Sequence, residues 1–159
     1  MSVLEKIVSG GQTGADRAAL DVAMELGLAT GGWVPRGRRA EDGRIPARYR
    51  DLRETPSDAY ELRTEQNVRD SDATLVVAFG TLTGGSAWTA ECARRLGKPL
   101  LHLDLHASTT AGAVTDLRAW LAEIRPRTLN VAGPRASQEP RIGTALGQIL
   151  REALLPGRE

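Results

Sequence analysis

Residues 73–79, Ala-Thr-Leu-Val-Val-Ala-Phe, carry no charge and end in five consecutive apolar side chains. A strand with one wet face alternates apolar with polar residues, so a strand apolar at every position must be covered on both sides. The run leads into a glycine-rich turn over residues 80–86 and then a helical segment over 87–96, closed by Gly97. The same order opens the chain: a short β run at residues 6–8, a glycine turn, then a helix over 15–26 with Ala19, Leu20, Ala23, Met24 and Leu26 at helical spacing. Strands alternating with helices imply a parallel sheet, and right-handed crossovers put helices on both of its faces. The predicted fold class is α/β, a three-layer αβα Rossmann-like fold with a mainly parallel sheet.

Further strands are expected at residues 29–32, 100–105 and 128–132, and helices at 114–124, stopped by Pro126, and at 141–155. That makes about five strands and five helices, and 159 residues with 41% hydrophobic composition suffice for one domain spanning residues 1–159. Residues 33–59 are irregular, with three prolines, two glycines and seven arginines. Compact domains seldom keep such a connection unless it serves as a lid or binding loop. The alternative is an ordered surface loop whose arginines pair with Glu41, Asp42, Asp51, Glu54 and Asp58.

No apolar stretch is long enough to span a bilayer, and the first ten residues lack the basic-then-apolar order of a signal peptide, so a cytoplasmic protein without a membrane partner is expected. Cys92 is the only cysteine, which excludes an internal disulfide and any multi-cysteine metal site. A net charge of +1 gives no general attraction to nucleic acid.

Three turns at the predicted C-terminal sheet edge carry the candidate chemistry. Gly10, Gly11, Gln12, Thr13 and Gly14 follow the first strand, where glycines let backbone N–H groups approach an anion at a helix N-terminus. This is neither a Walker loop nor a dinucleotide fingerprint, because no Gly-Lys-Ser/Thr follows and Ser9 stands where the first glycine would be. The acidic residue a dinucleotide site wants some 20 positions on is replaced by Arg36, Arg38 and their neighbours, which suit phosphate or an acidic group. Gly84, Gly85 and Ser86 make the second turn, and Arg135 and Ser137 follow the strand at 128–132. In a doubly wound sheet the first strand and the central apolar strand are expected side by side, so that both glycine turns meet. Valine at Gly14 is expected to close the first cradle and leave the fold largely intact.

Arg63, Thr64, Asn67, Asp70 and Ser71 form a polar stripe at helical spacing, chiefly a solvated face, the alternative being that Arg63, Thr64 or Asn67 touches a ligand. His102, Asp104 and His106 alternate along a strand, too few to argue for a metal, and no metal ligands or catalytic residues are assigned. Trp33 at a strand end could cover a flat ring.

Taken together, residues 9–21 (Ser-Gly-Gly-Gln-Thr-Gly-Ala-Asp-Arg-Ala-Ala-Leu-Asp), 31–38 (Gly-Gly-Trp-Val-Pro-Arg-Gly-Arg), 40–43 (Ala-Glu-Asp-Gly), Arg63-Thr64, Asn67-Val68, 70–72 (Asp-Ser-Asp) and 129–135 (Leu-Asn-Val-Ala-Gly-Pro-Arg) resemble the molybdenum-carrier (molybdenum cofactor carrier) family over nearly the whole chain. The resemblance implies a Rossmann-like homo-oligomer, commonly a tetramer, that binds molybdenum cofactor, a pterin bearing a phosphate and a dithiolene-bound oxo-metal, for delivery to molybdoenzymes. It also implies kinship with the lysine-decarboxylase-like superfamily, whose nucleotide phosphoribohydrolases carry a proline-glycine-glycine turn, a glycine-threonine and a catalytic glutamate. Gly84, Gly85 and Glu91 fit that pattern, whereas Thr83 replaces the proline, Ala87 the next glycine, and Thr89 is displaced by one residue. The expected function is therefore a binding or carrier protein for a phosphate-bearing ligand. The alternative is a nucleotide-hydrolysing enzyme or nucleotide sensor, with Glu91 and Asp16 as its candidate carboxylates.

Overall fold

The computed structural model describes residues 3–155. In chain order its elements are β1 (Lys6–Val8), α1 (Ala15–Glu25), β2 (Ala29–Val34), a 3-10 turn (Arg36–Arg38), β3 (Arg39–Ala40), β4 (Gly43–Arg44), β5 (Leu52–Glu54), α2 (Tyr60–Arg69), β6 (Ala73–Ala78), α3 (Gly84–Arg95), β7 (Leu100–Asp104), α4 (Thr110–Ile124), β8 (Thr128–Ala132) and α5 (Ile142–Leu154). Six strands form one parallel sheet in the order β5-β2-β1-β8-β6-β7, and β3 and β4 form a separate antiparallel hairpin. The α/β three-layer, Rossmann-like architecture is as expected from the sequence.

Every residue of β6 is buried, as an apolar strand covered on both faces requires. Its period-two alternation divides the core: Leu75 and Val77 join Ile7, Leu129 and Val131 in a cluster completed by α1, α4 and α5. On the opposite face Val68 of α2 packs with Cys92 and Ala93 of α3. Cys92 is buried there as packing, and burial pushes its thiol pKa up.

The sheet order departs from expectation at its centre, because β8 lies between β1 and β6, pairing Lys6 with Thr128 on one side and Ala73 with Leu129 on the other. The crossover through α4 returns across β6. The Asp72 carboxylate, which precedes β6, accepts hydrogen bonds from the backbone N–H groups of Arg127 and Thr128 at 3.0 and 2.9 Å and so fastens the start of β8. Four of the five β8 residues are buried, which only an interior strand allows.

Residues 35–59 are not structureless. They add β5 to the sheet edge and pack Ala40, Ile45 and Tyr49 against Leu20 of α1 and Val34 of β2. Asn67 of α2 joins this region to the sheet: its side-chain amide accepts from the Trp33 N–H at 2.7 Å and donates to the Trp33 carbonyl at 2.9 Å, as a strand neighbour would.

Tyr49 is 2% exposed, its ring lies 4.2 Å from the Arg48 guanidinium carbon, and burial first among the causes pushes its pKa up to about 12. A raised folded-state pKa leaves the stabilisation whole below the ordinary value of 10.0 and removes it as pH climbs towards about 12. Tyr49→Phe is therefore expected to raise the alkaline unfolding midpoint followed by circular dichroism; an unshifted midpoint would contradict it.

Candidate ligand-binding cleft

At the C-terminal ends of β1, β6 and β8 the chain encloses a cleft of about 390 Å³. Gln12 and Asp16 line it from the first turn, Gly84, Gly85 and Ser86 from the N-terminus of α3, and Ala132, Gly133, Arg135 and Gln138 from the β8 exit. Tyr60, Glu61, Arg63 and Thr64 of α2 and Trp88 and Thr89 of α3 complete the wall. With β8 between β1 and β6, the β8 exit bridges the two glycine turns, so the three turns still converge although their strands are not all neighbours.

The first turn is largely occupied by the chain itself. The Gly11 N–H donates to Ser9 Oγ at 3.3 Å, Gln12 N–H to Asp16 Oδ2 at 3.2 Å, Ala15 N–H to the Pro134 carbonyl at 3.2 Å and Arg17 N–H to the Gln12 carbonyl at 3.1 Å. Gly10 lies beneath the Arg63 guanidinium, where a Cβ would fall 1.7 Å from Nη1, and Gly11 packs against Ile45. Gly14 abuts the β8 exit, with a Cβ position 2.6 Å from the Pro134 carbonyl oxygen and 2.7 Å from the Ala136 nitrogen. A β-carbon there strikes backbone, which corrects the expectation that valine at Gly14 would spare the fold. Gln12, 2% exposed, donates to the Arg39 carbonyl at 2.9 Å and accepts from the Glu41 N–H at 3.3 Å, clasping the β3–β4 hairpin.

The second turn is open. Thr83 caps α3 without a side-chain hydrogen bond, and added β-carbons at Gly84 and Gly85 would meet nothing within 4 Å. The leading amides of a twelve-residue helix thus face the cleft with the positive end of its dipole.

Two guanidiniums stand opposite. Arg135 lies 4.3 Å and Arg63 5.7 Å from the Tyr60 ring centroid. Arg63 reaches Asp16 at 3.5 Å, with side-chain exposures of 12% and 5%, yet its buried Nε has no hydrogen-bond partner. Burial, and secondarily the charge of Arg135, pull the Arg63 pKa below its ordinary value. Burial raises the Asp16 carboxyl above the usual range, against the pull of Arg63 and the Gln12 N–H. The cleft thus holds two cations, Arg63 and Arg135, against two carboxylates, the reluctant buried Asp16 and the exposed Glu61.

The other expected site residues lie elsewhere. Arg36 is exposed outside the cleft. The Arg38 guanidinium is committed to the carbonyls of Ile45, Pro46 and Tyr49 at 3.1, 2.8 and 3.2 Å, and therefore braces the loop. Thr13 and Ser137 both hold Glu41 at the rim. Trp33 is fixed outside by its indole N–H to Asp70 at 2.7 Å. Glu91 lies outside the cleft and pairs with Arg95 at 2.9 Å, so Asp16 is the buried carboxylate of the cleft, with Glu61 exposed beside it. Asp16, Arg63 and Tyr60 lie outside the predicted binding set; the polar stripe on α2 was the signal for Arg63, and Tyr60, at the start of the same helix, gave none.

Residues 7–154 match the model of the circularly permutated YpsA SLOG family. The chain belongs to that family. The chain is also similar to a crystal structure from Syntrophus aciditrophicus SB of a chain named "Putative molybdenum carrier protein", with 47% identity over 96% of each chain and a TM-score of 0.94. No curated protein matches. No described helix is long and apolar enough to cross a membrane.

Proposed function

We propose that this cpYpsA chain is a binding and carrier protein for a phosphate-bearing ligand, molybdenum cofactor foremost, held in the cleft between the α3 N-terminus and Arg63 and Arg135. The observation that carries it is the buried Arg63 guanidinium, whose Nε is unpartnered and whose charge is only partly answered by Asp16. A buried donor without a partner is costly, and a phosphate oxygen would relieve it. The uncapped α3 amides supply the remaining donors, and about 390 Å³ accommodates a small organic ligand. Similarity to a chain named as a molybdenum carrier favours the pterin among phosphate-bearing ligands.

Native mass spectrometry of protein purified anaerobically without added ligand tests the ligand class: a molybdopterin-type mass supports the carrier, a nucleotide mass contradicts it. Gly85→Asp tests the place. The new carboxylate would occupy open space at the α3 N-terminus, where an acidic side chain favours the helix by about 0.5 kcal/mol and repels a phosphate. Thermal stability should hold or rise slightly while inorganic phosphate affinity in calorimetry falls at least about tenfold; retained affinity would move the site.

Asp16 within the cleft favours a second activity, hydrolysis or sensing of a nucleotide, with Asp16 rather than Glu91 as its carboxylate. Release of base from a nucleoside monophosphate, abolished in Asp16→Asn, would establish it; absence of turnover leaves the carrier role.

A further inference from the structure

The β3–β4 hairpin places Glu41 at the rim of the cleft, where donors from two distant parts of the chain converge on its carboxylate. The Thr13 and Ser137 hydroxyls donate to it, and the Ser137 N–H does so at 3.3 Å. Thr13 Oγ in turn accepts from the Ala136 N–H at 3.2 Å, which aims its own proton at Glu41. Arg135, whose guanidinium lies over Tyr60, adds positive charge at the same place. Two hydroxyls, one amide and a neighbouring guanidinium are the donor set of a tetrahedral oxyanion site rather than of an ordinary surface ion pair. Glu41 is also not needed to secure the hairpin. Gln12 already holds the backbone of Arg39 and Glu41, and Asp42 makes a paired contact with Arg17 at 2.6 and 2.8 Å.

We infer that Thr13, Ser137 and the Ser137 amide form a second oxyanion subsite, filled by the chain's own Glu41 until an anionic group of the ligand displaces it. The subsite rests on the phosphate-binding cleft proposed above and extends it: the ligand class is one with two separated anionic groups. One is taken by Arg63 and the α3 N-terminus, the other by the rim. A tethered carboxylate competes at high effective concentration, so a free monoanion or dianion cannot readily enter while Glu41 is present. A ligand anchored in the cleft by its first anionic group carries its second at comparable effective concentration and can take the place of Glu41.

Titration with inorganic phosphate, followed by calorimetry and phosphorus NMR, tests this on the full chain. The native protein is expected to bind one phosphate, Glu41→Ala two, and Glu41→Ala with Ser137→Ala one again. Gly85→Asp in the Glu41→Ala background should remove the cleft phosphate and keep the rim phosphate. Should Glu41→Ala misfold, Glu41→Gln keeps the shape without the charge and is expected to admit the second phosphate more weakly. Glu41 variants that bind no phosphate beyond the native complement overturn the inference, as does a gained phosphate indifferent to Ser137→Ala. A phosphate gained in Glu41→Ala and lost again with Ser137→Ala, while Gly85→Asp removes none, overturns the proposed cleft and leaves the rim subsite standing.

Discussion

Gly14→Val is expected to lower the thermal unfolding midpoint by about 10 °C or more, and any loss of ligand binding should follow from that loss of structure. Gly14 sits at φ 79° and ψ −122°, a conformation that a β-branched residue cannot adopt without strain. Its β-carbon position also falls 2.6 to 2.9 Å from backbone atoms of residues 134–136, and backbone yields far less readily than a side-chain tip. Strain of about 1–2 kcal/mol and overpacking of about 1–3 kcal/mol add at one residue, a large share of a typical stability of about 5–15 kcal/mol. The displaced segment carries Arg135, so the cleft would be rebuilt as well. Circular dichroism melts decide it: a midpoint within about 2 °C of the native protein would mean that the β8 exit moves aside freely, and Gly14 would then be a wall of a cradle instead of a packing contact.

The contrast between Gly14 and Gly85 shows what a sequence can disclose about a βα turn. Both are glycines at the start of a helix, and composition treats them alike. Neighbours in space separate them: β8, inserted between β1 and β6, brings its exit loop onto Gly14 and leaves Gly85 bare. Strand order depends on a non-local crossover, so the periodicity that located β1, β6 and β8 could not rank them. The apolar run of β6 did specify its own burial, because a strand has only two faces to cover. Residues 35–59 were opaque for a related reason. Leu52–Glu54 is too short to show alternation, and Arg38 spends its guanidinium on backbone carbonyls that no spacing rule predicts. Acidic residues were visible as partners for the loop's arginines, yet Glu41 and Asp42 turned outward to Thr13, Ser137 and Arg17.

Arg63→Met is expected to abolish phosphate binding, by about a hundredfold or more, and to cost about 3 kcal/mol of stability near neutral pH. Methionine keeps an unbranched apolar stem and removes the guanidinium that lies over Gly10, with its charge and donors. Asp16, 4% exposed, then loses the nearest of the cations that offset its burial, so its pKa rises further above the ordinary 3.8. The sign of the pH dependence follows. A carboxyl with a raised folded-state pKa leaves stability whole below its unfolded value and withdraws it as pH climbs through the folded value. The deficit of Arg63→Met should thus be greatest at neutral pH and shrink on acidification towards pH 4, and adding Asp16→Asn should restore most of it by leaving no buried charge. Urea titrations of the single and double variants across that pH range measure the stability arm, and phosphate calorimetry measures the other. Stability recovered in the double variant with binding still absent identifies Arg63 as a ligand contact. Binding recovered together with stability would show instead that Arg63 serves only to neutralise Asp16, and the cleft would lose the residue on which its phosphate assignment rests.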